Sequence, residues 1–293
     1  DQTGFGEAAR RLLRSLLSAG ADVGIGVHLT DRSPQMAPPD WLKALELRPK
    51  PDVHLICTFA SDFHLFTIPG VKDVGLTTWE TSELPRAYVA GAESVDALVV
   101  PSSQTAKLFH EENIGRPILI LPYPCDMAVH VVDPHIGVSE STVVLYSIGT
   151  WQERKNLAGL LTAYLTEFNG YDDVVLVVKV PVPEVSGGMQ IRRELARLKA
   201  ALRVPNPPKV EIRPGLWESP RIRGLHARGD CYVSLSRGEG FAIPILDALS
   251  FSSTVIATGW GGHMDYVSSF PDQFHAVDYR MTPVVQNYPH FTG

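Results

Sequence analysis

The sequence predicts an α/β protein of two domains, each built on a doubly wound parallel sheet. Short runs of valine, isoleucine and leucine alternate with segments of helical periodicity in both halves of the chain. Several of these runs are apolar at nearly every position, which is typical of strands covered on both faces. The length of 293 residues is more than one average domain and fewer than three.

The strands predicted in the first half are Val23–Leu29, Val53–Phe59, Asp73–Thr78, Ala97–Val100 and Ile118–Leu121. Those of the second half are Val143–Ile148, Val174–Val180, Val210–Arg213, Cys231–Leu235 and Thr254–Ala257. The first helix is amphipathic and ends at Gly20, and another begins at about Ser103 with Ser102 or Ser103 as its cap. Pro122–Thr142 is rich in proline, glycine and serine, so we expect domains at 1–128 and 142–293 joined by a linker at 129–141.

The composition excludes several classes of protein. The chain is 44% apolar and 20% charged, which indicates a folded protein, and its formal net charge of −6 argues against a general nucleic-acid binder. No apolar run reaches the roughly 18 residues of a membrane-spanning helix. The three cysteines are far apart and show no C-x-x-C spacing, so neither a disulfide framework nor a zinc site is predicted. Residues 1–140 carry a net charge of −7 and residues 141–293 one of +1, which favours the second half as host for an anionic ligand.

The predicted linker contains three potential metal ligands. His130, Asp133 and His135 are spaced as H-x-x-D-x-H. Both a metal site and a solvated linker fit this spacing, and the lack of a further strong ligand or a helical context favours the solvated linker.

Two cationic side chains stand directly before a predicted helix. Arg154 and Lys155 precede Asn156, a suitable N-cap residue, and an apolar helical face follows. A helix N-terminus carries partial positive charge, so two cations are unfavourable there by a few tenths to about 1 kcal/mol each. A bound anion reverses the sign of that effect. The pattern therefore favours a phosphate site over two solvated side chains paired with Glu153.

A glycine-containing loop follows the fourth predicted strand of the second half. Gly238 and Gly240 let the backbone approach a ligand closely, and Glu239 lies between them. Asp247 lies about one turn inside the next helix, and the two carboxylates would be about 12 Å apart if every intervening residue were helical. That spacing resembles the distance between the hexose and the ribose of a nucleotide-sugar. A turn glutamate and a solvated helix aspartate are the competing interpretation, stronger for Asp247 than for Glu239.

A third pattern lies at the start of the chain. Gly4, Phe5 and Gly6 belong to a G-x-G-x-x-A sequence before the first helix, where small residues let backbone amides approach a phosphate. The same letters, with Asp31 as an acid for the ribose, fit a dinucleotide site, and a tight turn is a third interpretation. The basic polar face of the first helix also fits a membrane surface, although its apolar face suits a domain core.

Longer motifs make the second half similar to the donor domain of GT-B glycosyltransferases of family 4. They are S-I-G-T-W-Q-E-R-K-N (Ser147–Asn156), S-R-G-E-G-F-A-I-P-I-L-D-A-L (Ser236–Leu249) and V-I-A-T-G-W-G-G-H-M-D-Y (Val255–Tyr266). The first half supplies T-G-F-G-E-A-A-R, T-T-W-E-T-S-E-L-P (Thr77–Pro85), V-P-S-S-Q-T (Val100–Thr105) and L-P-Y-P-C-D (Leu121–Asp126). Together they span most of the chain in the expected order. The resemblance implies two Rossmann-like domains that face a cleft, the GT-B arrangement.

The resemblance also implies roles for individual residues. Arg154 and Lys155 would hold the donor diphosphate and stabilise it as it leaves, and Glu239 would contact the transferred sugar. A donor-binding role is implied for Gly4, Phe5, Gly6, Gly240, Phe241, Ala242 and Asp247. Members of this family generally retain the anomeric configuration and need no catalytic metal.

The chain departs from the family's pattern at several points. Asp247 replaces a glutamate, and Ala242 stands where glycine is common and where alanine disfavours a positive φ. Many members have a histidine where this chain has Trp79 and Glu80, which leaves His64 as a substitute on the acceptor side. The chain also begins without the family's first strand and lacks its C-terminal helices, so we expect either a partial chain, truncated at both ends, or a naturally reduced member of the family.

The sequence thus predicts a retaining, metal-independent enzyme that moves a hexose from UDP- or GDP-hexose to a glycan or lipid-linked acceptor, without a cofactor. Two alternatives remain open: a sugar-nucleotide-binding protein of the same fold that has lost turnover, and an NAD-dependent oxidoreductase built on Gly4–Ala9 and Asp31. The expected partners are the nucleotide-sugar and the acceptor, not nucleic acid. The expected location is the cytoplasm, and a peripheral contact with the inner face of the membrane is compatible with it. The sequence does not indicate the oligomeric state.

Overall fold

The computed structural model describes residues 4–26, 45, 51–125 and 130–284, and the chain divides into two compact units. Unit 1 comprises Asp1–Asp126 with Thr282–Gly293, and unit 2 comprises Met127–Met281. Each unit contains its own sheet, and all the strand pairs described are parallel. The predicted class, α/β with two Rossmann-like domains, is therefore confirmed.

Unit 1 has a sheet in the order β1-β2-β3-β4. Its elements are α1 Gly4–Ser18, β1 Val53–Cys57, a 3-10 helix Ala60–Leu65, β2 Lys72–Leu76, α2 Arg86–Ala92, β3 Ala97–Val100, α3 Ser103–Glu111 and β4 Ile118–Ile120. Ser102 caps α3, since its hydroxyl accepts a hydrogen bond from the Thr105 amide at 3.3 Å. Phe63, Leu98 and Phe109 are fully buried and bring the 3-10 helix, β3 and α3 into one core.

The short helix α2 packs closely against the 3-10 helix. A Cβ atom at Gly91 would lie 1.8 Å from the carbonyl oxygen of Ala60, so only glycine fits there. The sequence did not predict α2, because seven residues are too few to show a helical period.

Unit 2 has a sheet in the order β7-β6-β5-β8-β9-β10. Its elements are β5 Val143–Ile148, a 3-10 turn Glu153–Lys155, α4 Leu157–Glu167, β6 Val174–Lys179, a π-helical turn Glu184–Gly188, α5 Met189–Ala201, β7 Lys209–Arg213, α6 Ser219–Arg228, β8 Cys231–Ser234, α7 Ile243–Ser250, β9 Thr254–Thr258, α8 Met264–Val267 and β10 Phe274–Val277. Counted from β5, this is the 3-2-1-4-5-6 order of a Rossmann sheet.

Helices cover both faces of the sheet in unit 2. Every residue of β6 is buried, and its side chains alternate between two cores as the pleat requires. Val175 and Val177 pack in the core that contains residues of α6 and α7. Leu176 and Val178 pack in the core that contains residues of α4 and α5. This two-sided burial explains why β6 is apolar at nearly every position.

The predicted strands agree closely with the structure except at the two ends of the chain. Ala97–Val100 and Val143–Ile148 have the predicted bounds. Counting these two, nine of the ten predicted strands begin and end within two residues of an observed strand. Residues 23–26 form no strand, and the rest of the prediction at Val23–Leu29 lies outside the described residues. The four-residue strand β10 was not predicted.

Residues 130–142 pack on unit 2. Three arginines of β7 and α6 donate to backbone carbonyls of this segment: Arg213 to His135, Arg223 to His130, and Arg228 to Ser139 and Thr142. The amide of Val132 donates to the carbonyl of Pro220 at 2.9 Å, and a Cβ atom at Gly224 would lie 1.8 Å from the Val132 carbonyl oxygen. The segment is thus part of unit 2, and the predicted domain and linker boundaries stay predictions.

Candidate active site

The loops that follow β5 and β8 start side by side in the sheet of unit 2. β5 pairs with β6 on one side and with β8 on the other, and the chain winds outward from this point in both directions. Loops that leave such a switch point diverge, and the crevice between them is where open α/β sheets bind ligands. The first loop carries Arg154 and Lys155, and the second carries Glu239. The topology therefore brings the two sequence motifs of unit 2 together.

Hydrogen bonds through Arg154 join these two loops. Its backbone carbonyl accepts from the amide of Arg237 at 2.7 Å and from the hydroxyl of Ser236 at 3.2 Å. Its guanidinium Nη1 donates to the carbonyl of Gly238 at 2.7 Å and to Oε2 of Glu239 at 3.3 Å. Since both its backbone and its side chain are held, the fold fixes the position of Arg154.

Lys155 completes a buried cluster of three charges. Its Nζ donates to Oε1 of Glu239 at 2.6 Å, and the side chains of Lys155 and Glu239 are 18% and 9% exposed. Burial alone raises the pKa of Glu239, but the attraction of Lys155 and Arg154, with hydrogen bonds from Lys155 and Ser236, outweighs burial and lowers that pKa to about 2. Glu239 is therefore ionised at neutral pH, and the cluster keeps one net positive charge with which to attract an anion.

Hydrogen bonds from α8 and from the residues just before α8 fix the turn that follows Glu239. The amide of Gly262 donates to the carbonyl of Glu239 at 2.7 Å. The hydroxyl of Tyr266 donates to the carbonyls of Phe241 and Ala242, both at 2.9 Å. Ala242 has φ 62° and ψ 64°, a left-handed conformation, immediately before α7. Gly240, the remaining residue of this turn with a predicted role, is buried, as are Phe241 and Ala242.

Asp247 lies inside α7, where it is 8% exposed. Because α7 begins at Ile243, the residues from Glu239 to Ala242 form a turn, and the left-handed Ala242 breaks the helical path. The condition behind the 12 Å spacing, that every intervening residue is helical, is therefore not met. Burial raises the pKa of the Tyr266 hydroxyl, and the negative charges of Glu239 and Asp247 add to that effect. Both carboxylates thus act electrostatically on one hydroxyl.

Arg154 and Lys155 lie in a 3-10 turn that leads into α4. Asn156 occupies the predicted N-cap position, but its side chain forms no capping hydrogen bond. The reason is its left-handed backbone, with φ 48°. Its side chain instead covers Gly159, where a Cβ atom would lie 2.5 Å from Oδ1 of Asn156.

In unit 1, Gly4, Phe5 and Gly6 form the first turn of α1, which begins at Gly4. The expectation that these residues form a loop before the helix is therefore wrong. Glu7, in the same turn, pairs with arginines three and four residues later, and such pairs stabilise the start of the helix. The ring of Phe5 packs edge-on against Phe59, with centroids 5.0 Å apart. The donor-binding role of the three residues stays a prediction.

The proposed dinucleotide site receives no support from the structure. Its glycines belong to a helical turn, and Asp31, the acid that would contact the ribose, lies outside the described residues. A Rossmann dinucleotide fingerprint requires the glycines in a tight turn between a strand and a helix. The oxidoreductase alternative is therefore not favoured.

The predicted acceptor-side residues follow the neighbouring strands β1 and β2. His64 is exposed on the 3-10 helix, and Glu80 is half-buried. Trp79 is 2% exposed, and its indole N–H donates to the carbonyl of Glu83 at 2.6 Å. The ring of Trp79 lies 4.3 Å from that of Tyr88. Trp79 is thus a residue of the core of unit 1, and the acceptor-side role of the three residues stays a prediction.

Three residues around Glu239 received no role from the sequence. The buried hydroxyl of Ser236 helps to lower the pKa of Glu239, and Tyr266 holds the turn that follows. His263 is 1% exposed, and its Nε2 lies 2.9 Å from the carbonyl of Thr258, so Nε2 carries the proton. Burial lowers the pKa of His263. All three lie in the motifs quoted above, but their residue types alone do not indicate that they support a loop.

Among the residues that the structure describes, no group of three or more histidine, cysteine, aspartate or glutamate side chains could hold a metal ion. In the segment 130–142, Asp133 and His135 lie 3.1 Å apart and are 70% and 76% exposed. Exposure of this kind is typical of a solvated surface pair.

No family model matches the sequence, and no curated protein does. Solved structures share the fold. HepE of Anabaena, in complex with UDP-glucose, is 16% identical over 73% of this chain and 61% of its own, with a TM-score of 0.57. A trehalose-6-phosphate protein of E. coli bound with UDP-2-fluoro glucose is 9% identical over 71% and 57%, with a TM-score of 0.53. A mutant of S. aureus TarM, in complex with UDP, is 10% identical over 72% and 42%, with a TM-score of 0.53.

These likenesses establish the fold, which is the Rossmann-like fold of GT-B glycosyltransferases. The chain spans less than two thirds of the length of each of these structures. In the part of the chain described here, no helix is both long enough and apolar enough to cross a bilayer.

Proposed function

We propose that this chain is a nucleotide-sugar glycosyltransferase of the family 4 type, which transfers a hexose from UDP- or GDP-hexose to a glycan or lipid-linked acceptor. The observation that carries the proposal is the convergence of Arg154, Lys155 and Glu239 at the switch point between β5 and β8. HepE, a protein of the same fold, binds UDP-glucose, which supports the choice of donor.

The cationic pair would stabilise the leaving diphosphate. When the bond between the anomeric carbon and the phosphate oxygen breaks, its electron pair moves onto the diphosphate, whose negative charge increases. Lys155 and Arg154 are already held in place by Glu239 and by the carbonyl of Gly238, so they stabilise this charge without reorganising. We propose that these two side chains take the role that a divalent cation has in other transferases, which makes the reaction metal-independent.

Glu239 would act on the transferred sugar. Its low pKa keeps it ionised, so it accepts hydrogen bonds from sugar hydroxyls and opposes the positive charge that develops on the anomeric centre. The amides of Gly240, Phe241 and Ala242 would lie near the sugar and the phosphates, and Asp247 would hold the ribose hydroxyls. Retention of the anomeric configuration is part of this proposal and rests on the resemblance.

Unit 1 would supply the acceptor side. His64 and Glu80 follow the carboxyl ends of β1 and β2, which pair in register, so they start from one edge of the sheet. We propose this edge as the place where the acceptor binds, with Gly4, Phe5 and Gly6 contributing to donor binding. A cytoplasmic location with a peripheral membrane contact belongs to the same proposal.

Calorimetry and a transfer assay test the proposal together. We expect UDP or GDP to bind and NAD not to bind. Lys155→Ala should weaken binding of the nucleoside diphosphate by about 1.5–3 kcal/mol, the size of a charge-assisted contact. Lys199→Ala, which removes a cation from the last turn of α5, serves as the control and should leave binding unchanged.

Turnover separates an enzyme from a binding protein that has lost activity. We expect release of UDP or GDP from the corresponding sugar donor, with the same rate when EDTA is added. Tight binding of the nucleotide without any hydrolysis or transfer would instead identify the non-catalytic alternative. An unchanged dissociation constant in Lys155→Ala would exclude the role assigned to Lys155.

A further inference from the structure

A second concave site lies at the outer edge of the sheet in unit 2, beside the end of β7. This cavity of about 190 Å³ is lined by Arg192, Ile212, Arg213, Pro214, Trp217 and Arg221. Its arginines come from α5, β7 and α6, and no acidic residue is among these lining residues, although the whole chain has a net charge of −6. β7 is two strands away from β5, roughly 10 Å across the sheet, so the cavity is distinct from the cluster around Glu239.

Positive charges crowd around the indole ring in this cavity. The guanidinium carbon of Arg221 lies 3.9 Å from the ring centroid of Trp217, and Nζ of Lys179 lies 5.2 Å from it. Lys179 is 2% exposed and donates to the carbonyl of Gly215 at 2.6 Å. Burial and the repulsion of Arg221 lower the pKa of Lys179 to about 8. The positive charges of Lys179 and Arg221 therefore repel each other, and burial limits the screening of this repulsion by water.

The fold satisfies these cations only in part. Glu211 pairs with Arg213, but it also binds Lys209 at 3.0 Å, so one acid is divided between two cations. The Nε atoms of Arg213 and Arg221 are buried, and neither has a hydrogen-bond partner in the part of the chain described. Buried donors without acceptors are unfavourable, so the fold leaves part of the hydrogen-bonding capacity of these two guanidinium groups unmet.

We propose that this cavity binds a phosphate group, either as inorganic phosphate or as a phosphate monoester, between Arg192, Arg213 and Arg221. Guanidinium groups that approach from three different elements suit a tetrahedral anion with several acceptor oxygens better than a planar carboxylate. This site is additional to the proposed sugar transfer and does not depend on it.

The test is calorimetric titration of the protein with inorganic phosphate and with phenyl phosphate. Arg192→Gln and Arg221→Gln should each weaken binding by about tenfold or more, since each removes a charged donor. Arg221→Lys keeps the charge but loses the two parallel N–H donors of the guanidinium group. Its affinity for phosphate should lie between those of the wild type and Arg221→Gln. Arg197→Gln is the matched control, because Arg197 lies on α5 with Arg192, is 79% exposed and does not line the cavity.

A second comparison separates this site from the one proposed for the sugar donor. Lys155→Ala should keep the phosphate binding that Arg192→Gln loses, and Arg192→Gln should bind UDP as the wild type does. Arg192 is exposed, so its replacement leaves the core intact. Wild-type phosphate affinity in both Arg192→Gln and Arg221→Gln, or loss of phosphate binding in Lys155→Ala, would overturn the proposal. Tighter binding of phenyl phosphate than of inorganic phosphate would identify an ester as the ligand, and equal affinities would identify the free anion.

Discussion

The ammonium group of Lys155 lies 2.6 Å from the carboxylate of Glu239, a residue 84 positions later in the chain. Both side chains are largely buried, and Arg154 is a second, longer partner of the same carboxylate at 3.3 Å. The pair therefore joins the loop after β5 to the loop after β8. It concentrates charge at the switch point, where the order of the strands in the sheet reverses. Its stability and its protonation can both be tested.

Removal of Lys155 should destabilise unit 2. Lys155→Met leaves the buried charge of Glu239 with Arg154 alone, and we expect the free energy of unfolding to fall by about 3 kcal/mol. The double variant Lys155→Met with Glu239→Gln should recover a large part of the lost free energy of unfolding, because it has no buried carboxylate without its partner. Urea denaturation of the two single variants and the double variant measures the coupling. Additive effects of the two changes would show that the contact contributes nothing.

The protonation of Glu239 should make stability depend on pH. Its pKa is lowered from 4.5 to about 2 on folding, so the native state binds fewer protons than the unfolded state and stability rises with pH. This contribution is complete above pH 4.5 and is lost as the pH falls towards 2. Between pH 6 and pH 3 we expect the wild type to lose about 2 kcal/mol more than Glu239→Gln. Parallel curves for the two proteins would contradict the lowered pKa.

The left-handed backbone of Ala242 should make glycine as well tolerated as alanine at this position. With φ 62°, alanine is strained by about 1–2 kcal/mol. The loss of a buried methyl group offsets about 0.8 kcal/mol of the relief, and the greater freedom of glycine in the unfolded chain offsets about 0.5–1 kcal/mol more. Ala242→Gly should therefore have a free energy of unfolding close to that of the wild type. Ala248→Gly makes the same chemical change inside α7 and should destabilise it by about 1 kcal/mol or more. Thermal and urea unfolding of both variants give the comparison.

The hydroxyl of Tyr266 should position the turn that follows Glu239. Tyr266→Phe removes the donor to the carbonyls of Phe241 and Ala242, and we expect a loss of about 1 kcal/mol in stability and a lower kcat/KM for the sugar donor. Tyr164→Phe is the control, since Tyr164 also donates to a backbone carbonyl at 2.9 Å but at the edge strand β7. That variant should lose similar stability and keep wild-type kinetics. Equal kinetic effects in both would point to a general loss of stability.

Close contact between α2 and the 3-10 helix should make Gly91 intolerant of a side chain. A Cβ atom there would meet the Ala60 carbonyl at 1.8 Å, so Gly91→Ala should destabilise unit 1 by about 3 kcal/mol or more. Gly115→Ala has no atom within 4 Å of its new Cβ and should change the stability little. Circular dichroism during urea unfolding measures both variants, and a Gly91→Ala protein as stable as wild type would contradict the observed packing.

The sequence was most informative where burial alone determines structure. β5 lies between two helical layers, so its apolar run predicted the strand with correct bounds. The meeting of Lys155 with Glu239 was also predictable, since both follow strands at one switch point. The positive φ of Ala242 was indicated only by the glycine common at this position in the resembling family, because alanine itself disfavours it. The core position of Trp79 was equally hidden, since an aromatic residue after a strand fits a binding site and a core alike.

The contacts between α6 and residues 130–142 determine how unit 2 can be produced alone. A fragment that starts at Thr142 would lack the carbonyl of His130, to which the guanidinium of Arg223 donates. It would also lack Val132, whose carbonyl packs closely against Gly224. A fragment that starts upstream of His130 keeps both contacts. Recombinant expression of this half for crystallisation should therefore begin before that point.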